Sequence, residues 1–159
     1  MNKSYLLIGG NTGNRAGFLR EAAGFIGTLA GTITRSSAIY ETAAWGKTDQ
    51  PAFLNQALEL QTPLEAAPLM DTLLQIEAQM GRKRREKYGP RVIDIDILLY
   101  NEAVTDTPSL RIPHPRMANR RFALVPLNEI AGAYVHPLLK KTIAQLLQEC
   151  PDPLPVKKF

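Results

Sequence analysis

The sequence contains a single cysteine, Cys150, and no long hydrophobic segment. One thiol cannot form a disulfide within the chain, which excludes a disulfide-stapled secreted scaffold, and we expect Cys150 to be unreactive. The longest early apolar run, residues 5–8, is shorter than the core of a signal peptide and far shorter than a membrane span. We therefore expect a cytoplasmic protein that does not bind membranes.

The common phosphate-binding loops are also missing. Residues 46–48 (GKT) match the end of a Walker A loop, but Glu41 stands where its first glycine is required, and Pro51 interrupts any following helix. Residues 9–13 (GGNTG) lack the spacing of a dinucleotide-binding fingerprint and are better explained as a turn into a helix capped by Asn14. A nucleotide would therefore have to be bound by another arrangement.

The composition is that of a globular protein. The chain has 159 residues, of which 45% are hydrophobic and 21% are charged. A chain of this length can build its own hydrophobic core. We expect a single domain over residues 1–159, in which the proline-rich residues 151–159 form an extended tail.

Positive charge is concentrated in two segments. The net charge is +4, but residues 82–91 (RKRREKYGPR) carry six basic residues and one acidic residue. Residues 111–121 add four arginines, so the rest of the chain is acidic. Such segments attract anions, either nucleic acid or a phosphorylated small molecule, although a solvated charged loop is the simpler explanation of any single run.

Hydrophobic periodicity predicts alternating strands and helices. Predicted strands cover residues 5–8, 32–40, 54–60 and 92–100, and predicted helices cover residues 16–29, 66–80, 122–130 and 142–147. The order of the first six elements is βαββαβ, which is typical of a ferredoxin-like core. We predict an α+β fold with a mainly antiparallel sheet, additional strands and a C-terminal helix, in which the helices cover one face of the sheet. This fold serves RNA-binding proteins, metal carriers and enzymes alike.

Two acidic residues interrupt the apolar strand at residues 92–98 (VIDIDIL). Because side chains alternate along a strand, Asp94 and Asp96 point to one face, about 7 Å apart. Two carboxylates in this setting repel each other and require compensation. Lysine or arginine partners would provide it, and so would Mg²⁺, which takes one or two carboxylates together with phosphate oxygens and water. The strand by itself leaves both explanations open.

The residues before this strand favour the magnesium explanation. Arg91 directly precedes the strand, and Arg82 and Arg84 belong to the glycine- and proline-containing segment before it. A cation site beside several guanidinium groups is typical of a polyphosphate site, where both neutralise the charge of a transferring group. A loop of this composition could also fold over a substrate and exclude water.

Other residues are suited to binding a nucleotide or a flat heterocycle. His114 lies between two prolines and beside Arg116 and Arg120, where it could hydrogen-bond phosphate or ribose, although a lone histidine is usually structural. The second histidine, His136, is expected on the surface. Phe53 and Phe122 are core aromatics by default, but two rings could also stack on a heterocycle. Asn55 shares a strand face with Phe53 and offers a donor and an acceptor to a heterocycle edge.

Residues 87–98 (KYGPRVIDIDIL) resemble the signature of the hydroxymethyl-dihydropterin pyrophosphokinases, a family of folate-pathway enzymes. Further blocks follow the family order at residues 8–11 (IGGN), 49–55 (DQPAFLN), 76–84 (IEAQMGRKR) and 113–122 (PHPRMANRRF). Some positions depart from the usual pattern, since Phe53 and Pro115 each replace a tyrosine and Tyr88 replaces a tryptophan. None of these departures removes a predicted metal ligand or catalytic arginine.

The resemblance implies a Mg²⁺-dependent reaction in which the pterin hydroxymethyl oxygen attacks the β-phosphorus of ATP, pyrophosphate is transferred and AMP leaves. By matching position, Asp94 and Asp96 would hold two Mg²⁺ ions, and Arg82 and Arg91 would stabilise charge at the transferring group. The implied ATP-binding residues are Glu77, Arg84, Tyr88, Ile97, His114 and Arg120. Phe53 and Phe122 would sandwich the pterin, while Asn55 and the loop residues Thr42, Ala43 and Trp45 would contact its polar edge.

Two other classes of protein are compatible with parts of this pattern. A ferredoxin-like RNA-binding module would use the basic segments, but it needs several aromatics on its central strands and would gain nothing from Asp94 and Asp96, which repel phosphate. A nucleotide-sensing domain would bind ATP without turnover, and an assay for AMP release would separate it. The preferred hypothesis is a monomeric enzyme acting on ATP and a reduced hydroxymethyl pterin, without a nucleic-acid partner.

Overall fold

The computed structural model describes residues 1–43, 50–81 and 92–159. Its strands are β1 (Asn2–Gly10), β2 (Thr32–Ser36), β3 (Tyr40–Thr42), β4 (Phe53–Thr62), β5 (Asp94–Tyr100), β6 (Thr105–Thr107), β7 (Leu110–Ile112) and β8 (Val156–Lys158). Its α-helices are α1 (Arg15–Leu29), α2 (Ala66–Gln79), α3 (Arg121–Ala131) and α4 (Ile143–Glu149), and a 3₁₀ turn, Met117–Asn119, precedes α3.

The central sheet has the topology that the sequence predicts. Strand β1 lies between β5 and β4, both β2 and β3 pair with the other side of β4, and β8 pairs with β3. All of these pairs are antiparallel. Strands β1, β2, β4 and β5 with helices α1 and α2 form the ferredoxin-like βαββαβ core, so the predicted fold class is confirmed. Strands β6 and β7 form a separate hairpin.

The predicted strand at residues 32–40 is two strands, β2 and β3, separated by residues 37–39. At this break Ser37 makes two hydrogen bonds to Ala57. The Ser37 N–H donates to the Ala57 carbonyl oxygen, and the Ala57 N–H donates to Ser37 Oγ, each over 2.9 Å. A hydroxyl thus replaces a backbone acceptor, and the ladder is interrupted without an unpaired donor. Residues 41 and 42, predicted as loop, belong to β3.

The sheet is covered on both faces. On one face α1 and α2 pack against Leu6, Ile8 and Ile95. On the other face α3 and α4 pack against Tyr5, Leu7 and Leu98. The prediction that helices cover only one face is therefore wrong, since it holds for α1 and α2 alone. The physical reason is that β1 is apolar at odd and even positions alike, and a strand of this kind must be buried on both sides.

Local signals at the helix ends are confirmed. The Asn14 side chain caps α1 by accepting a hydrogen bond from the Gly17 N–H at 3.1 Å. Helix α2 ends before Gly81, whose φ of 84° is the left-handed conformation that favours glycine. Within the described ranges, no helix has both the length and the apolar character that crossing a bilayer requires.

The environment of His136 differs from the prediction. Its side chain is buried, and Nδ1 accepts hydrogen bonds from the backbone N–H groups of Leu138 and Leu139. The prediction of a surface histidine is wrong because the imidazole satisfies the backbone of a turn that follows it. Such a local side-chain bond leaves no clear trace in sequence periodicity.

Candidate active site

Among the predicted pterin and metal residues, Phe53, Asn55, Asp94 and Asp96 lie on the sheet face that also carries α3. Gly9 of β1 pairs with Asn55 of β4 on one side and with Asp94 of β5 on the other. Directly paired residues of antiparallel strands project to the same face, so these three residues form a row across the sheet. We call it the Gly9 row. Phe53 and Asp96 lie two positions from Asn55 and Asp94 along their strands, and therefore also project to this face.

Glycine is required at the centre of this row. A Cβ atom at position 9 would clash with Asn55 Oδ1 and lie 3.0 Å from the Leu54 carbonyl oxygen. The Asn55 amide therefore lies over the glycine. Asn55 is only 5% exposed, and its side-chain amide makes no hydrogen bond to another residue in the described ranges. Since buried polar groups are normally hydrogen-bonded, this amide is suited to bind a substrate.

The two carboxylates occupy a strand whose start is held from the other face. Glu77 of α2 is buried, and its Oε2 accepts a hydrogen bond from the Ile95 N–H at 2.7 Å. Ile95 separates Asp94 from Asp96, so this contact positions both. Glu77 was predicted to lie near ATP, and the structure places its carboxylate against the backbone of β5.

Ile97 is placed differently from the other predicted nucleotide residues. Its side chain is 1% exposed and belongs to the core between the sheet and helices α1 and α2. It projects away from the face of Asp94 and Asp96. Only the backbone of Ile97 is therefore in a position to contact a nucleotide on the carboxylate face.

Asp94 and Asp96 are both half-buried. In the part of the chain that the structure describes, no group of three or more histidine, cysteine or acidic side chains is arranged to hold a metal ion. This donor set fits Mg²⁺ held by two carboxylates, because Mg²⁺ commonly completes its coordination with substrate phosphates and water. A site for a tightly held structural ion would need more protein ligands.

His114 is held as a neutral imidazole near these carboxylates. Burial lowers its pKa to about 4, and the positive charges of Arg120 and Arg116 act in the same direction, while Asp94 opposes them. The Arg116 N–H donates to His114 Nδ1 over 3.2 Å. In a neutral imidazole this assignment puts the proton on Nε2, which then donates rather than accepts. Nε2 is thus a suitable donor to a phosphate or ribose oxygen.

Helix α3 brings a predicted ATP residue next to a predicted pterin residue. The Arg120 guanidinium carbon lies 5.6 Å from the centroid of the Phe122 ring, within cation–π range. Phe122 is half-buried against the core beneath α3. Because α3 covers the face of Asn55 and Phe53, Phe122 belongs to the same side of the sheet as both.

Strand β3 places Thr42 directly opposite Phe53. Thr42 is buried, and its hydroxyl donates to the Pro155 carbonyl oxygen at 3.0 Å, whereas Ala43 is exposed. Thr42 would therefore contact a pterin through its backbone. The predicted site residues Trp45, Arg82, Arg84, Tyr88 and Arg91 lie outside the described residues.

Two residues near the site were given no role from the sequence. Asn11 is buried, and its Nδ2 donates to Gln50 Oε1 and to the Pro51 carbonyl oxygen, each at 3.1 Å. Arg15 Nη1 donates to Glu41 Oε2 at 2.7 Å and to the Ala52 carbonyl oxygen at 2.9 Å. The available signal for Arg15 is a cation at the first position of α1, where the helix dipole disfavours it. Its contacts are long-range, so no local pattern identifies them.

A ferredoxin-like sheet that carries a buried amide and two carboxylates on one face is compatible with an enzyme that binds a heterocycle and a phosphate group. The family model for 7,8-dihydro-6-hydroxymethylpterin-pyrophosphokinase (HPPK) matches residues 5–132. A 2-amino-4-hydroxy-6-hydroxymethyldihydropteridine pyrophosphokinase of Bacillus subtilis is 44% identical over 130 residues, covering 81% of this chain and 78% of that protein. A protein of the same name from Aquifex aeolicus is 38% identical over 145 residues, covering 91% of this chain and 90% of the relative.

The chain belongs to the HPPK family. The predicted family and the predicted pyrophosphokinase activity in folate biosynthesis are confirmed. A pyrophosphokinase acts on small-molecule substrates and uses ATP as co-substrate.

Solved structures agree on the fold. A wild-type HPPK-DHPS of Plasmodium falciparum with pteroate has a TM-score of 0.76 at 18% identity, covering 93% of this chain and 42% of that chain. An HPPK-DHPS in complex with substrates has a TM-score of 0.74 at 17% identity and covers 93% of this chain and 43% of the other. The chain thus spans less than half the length of these solved proteins.

Proposed function

We propose that this chain transfers pyrophosphate from ATP to the hydroxymethyl group of 6-hydroxymethyl-7,8-dihydropterin, with release of AMP, and that the reaction depends on Mg²⁺ held by Asp94 and Asp96. The Gly9 row carries this proposal, because it aligns a buried amide and a carboxylate on the two sides of a strand whose central residue has no side chain. Neighbouring strands lie about 4.8 Å apart, so Asn55 and Asp94 are separated by roughly 10 Å. A bicyclic ring with a short substituent spans a distance of this order.

The pterin-binding end of the row consists of Asn55 with Phe53 and Phe122. The Asn55 amide donates and accepts hydrogen bonds at the edge of the ring, and the two phenylalanines stack on its faces. Thr42 and Ala43, with Trp45, complete the contact with the polar edge. Gly9 provides the floor, since any larger residue would displace Asn55.

The phosphate-binding end consists of the two carboxylates and the cationic residues. When bound there, Mg²⁺ would neutralise the triphosphate and favour ionisation of the attacking hydroxyl. His114 donates from Nε2 to the nucleotide, Arg120 and Arg84 pair with its phosphates, and Tyr88 and the Ile97 backbone contact its remaining parts. Arg82 and Arg91 stabilise the charge that develops on the transferred group.

The direct test is AMP formation in a mixture of the protein, ATP, Mg²⁺ and the reduced hydroxymethyl pterin. AMP should appear only when the pterin is present and should stop when EDTA removes the metal. We expect Asp96→Ala to lower kcat by about a hundredfold or more, because it removes a ligand that acts at the developing charge. Asp71→Asn, which neutralises an exposed acid of α2, is the matched control and should keep full activity.

Two outcomes would contradict the proposal. ATP bound without AMP formation would indicate a sensor domain. Activity of Asp96→Ala near that of the unsubstituted protein would exclude the metal assignment.

We further infer a monomeric cytoplasmic enzyme with one domain over residues 1–159. The single domain is supported by the continuous sheet, which joins β1 near the N-terminus to β8 near the C-terminus through β4 and β3. The acidic pair at the centre of the site repels nucleic-acid phosphates, which argues against an RNA or DNA partner. Size-exclusion chromatography with light scattering tests the monomer.

A further inference from the structure

Helix α3 begins without a cap from its own sequence. Arg120 occupies the N-cap position and makes no side-chain cap bond, and the first turn contains no acidic residue. Asp152, 31 residues further along the chain from Arg121, caps the helix instead. Its Oδ2 accepts a hydrogen bond from the Arg121 N–H at 3.1 Å. A negative charge at this position also interacts favourably with the helix dipole.

Asp152 is buried and fully hydrogen-bonded at this contact. It is 5% exposed, which is unusual for an aspartate, and its second oxygen accepts a hydrogen bond from the Leu154 N–H at 3.0 Å. Both carboxylate oxygens are thus bonded to backbone groups. The Arg121 N–H belongs to α3 and the Leu154 N–H belongs to the segment that carries Asp152. The carboxylate therefore links this segment to α3.

The same segment contacts the opposite side of the pterin site. The Pro155 carbonyl accepts the Thr42 hydroxyl bond, and Val156 pairs with Thr42 in the β3–β8 ladder. Thr42 in turn lies opposite Phe53. Residues 152–156 therefore connect the start of α3, which carries Phe122, with the strand pair that carries Phe53.

We propose that Asp152 is a positioning residue for the pterin, which sets the location of Phe122 relative to Phe53. The inference rests on the proposed function, in which these two rings stack on the pterin. Stacking falls off quickly when rings shift, so a small displacement of the first turn of α3 weakens pterin binding without altering the carboxylates. Asp152 acts through Phe122 and does not itself contact the substrate.

The test compares two helix caps. Asp152→Ala removes the cap of α3, and Thr142→Ala removes the cap of α4. In the unsubstituted protein the Thr142 side chain accepts a hydrogen bond from the Gln145 N–H. Both variants should lower the unfolding temperature, but α4 carries none of the proposed site residues. Steady-state kinetics with varied pterin, and titration of the pterin in the presence of a nonhydrolysable ATP analogue, give the readout.

We expect Asp152→Ala to raise KM and Kd for the pterin about five- to tenfold, which corresponds to a partial loss of ring stacking, with kcat nearly unchanged. Thr142→Ala should leave both constants unchanged. Asp152→Asn keeps an acceptor oxygen without the charge and should give an intermediate effect, which also provides a readout if the alanine variant does not fold.

An Asp152 variant that is destabilised like Thr142→Ala but binds the pterin normally would overturn the inference and reduce Asp152 to a stabilising residue. A fall in kcat with an unchanged pterin KM would overturn it as well. The unsubstituted protein separates the two hypotheses: if it releases no AMP, the proposed function fails, and if it does, the variants test Asp152 alone.

Discussion

The Glu77 carboxylate of α2 binds the backbone N–H of Ile95, the residue between Asp94 and Asp96, over 2.7 Å. A helix on one face of the sheet thereby fixes the strand that presents two carboxylates on the other face. The bond crosses the layer between α2 and β5, so the proposed metal ligands depend on the packing of a helix that does not border their face.

The first prediction concerns this bond. Glu77→Ala leaves the buried Ile95 N–H without its acceptor, which should lower the free energy of unfolding by about 1–3 kcal/mol. Glu77→Gln keeps an oxygen acceptor and should lose less stability. Chemical denaturation measures both. In addition, we expect the Mg²⁺ concentration for half-maximal activity to rise in the alanine variant, because Asp94 and Asp96 are less well positioned.

Gln79, an exposed residue of α2, provides a control for Glu77→Ala. Gln79→Ala removes a polar side chain from the same helix at an exposed position and should change neither stability nor metal dependence appreciably. Equal metal dependence in Glu77→Ala and the unsubstituted protein would show that the bond stabilises the fold without positioning the carboxylates.

The second prediction concerns Gly9. In Gly9→Ala the new methyl group meets Asn55 Oδ1, so the amide must rotate away from the row. We expect the pterin Kd to rise by about tenfold or more, the effect of losing roughly one good hydrogen-bonded contact. Isothermal titration with the pterin and an ATP analogue measures it.

Gly24→Ala in α1 is the matched control for Gly9→Ala, because apart from the adjoining helix backbone no atom lies within 4 Å of a Cβ at this position. It should stabilise the protein by about 0.5–1 kcal/mol, since alanine is the better helix former, and should bind the pterin normally. Normal pterin affinity in Gly9→Ala would argue against Asn55 as the pterin-binding group.

The third prediction concerns the pH dependence of stability. Burial lowers the pKa of His136 below its ordinary value of 6.5. The unfolded chain therefore binds a proton below about pH 6.5 that the folded protein still excludes, and stability falls as the pH falls through this range. Above pH 6.5 both states are neutral at this residue, and its contribution is constant.

His136→Asn removes this titration and keeps an acceptor for the Leu138 and Leu139 N–H groups. We expect the unsubstituted protein to lose more stability than this variant between about pH 7.5 and about pH 5, as measured by thermal unfolding in buffers of equal ionic strength. His114 is present in both proteins, so its own contribution cancels in the difference. Parallel pH profiles would contradict the prediction.

Much of the fold follows from local patterns. The βαββαβ order and the cap at Asn14 are confirmed, because the periodicity of each element and the cap depend on residues that are close together in the sequence. The helix layer on the second face was missed, since it depends on which helix covers the odd positions of β1. The burial of His136 was missed as well, since it depends on a turn that closes around the imidazole.

The sequence by itself determined the family, the order of the elements and the alternation that puts Asp94 and Asp96 on one strand face, because these are properties of motif and of strand geometry. Only the tertiary structure decided that Asn55, Gly9 and Asp94 form a row and that Asp152 caps α3. Register between strands distant in sequence, and a hydrogen bond across 31 residues, arise from the packing of the whole chain and are encoded at no single segment of it.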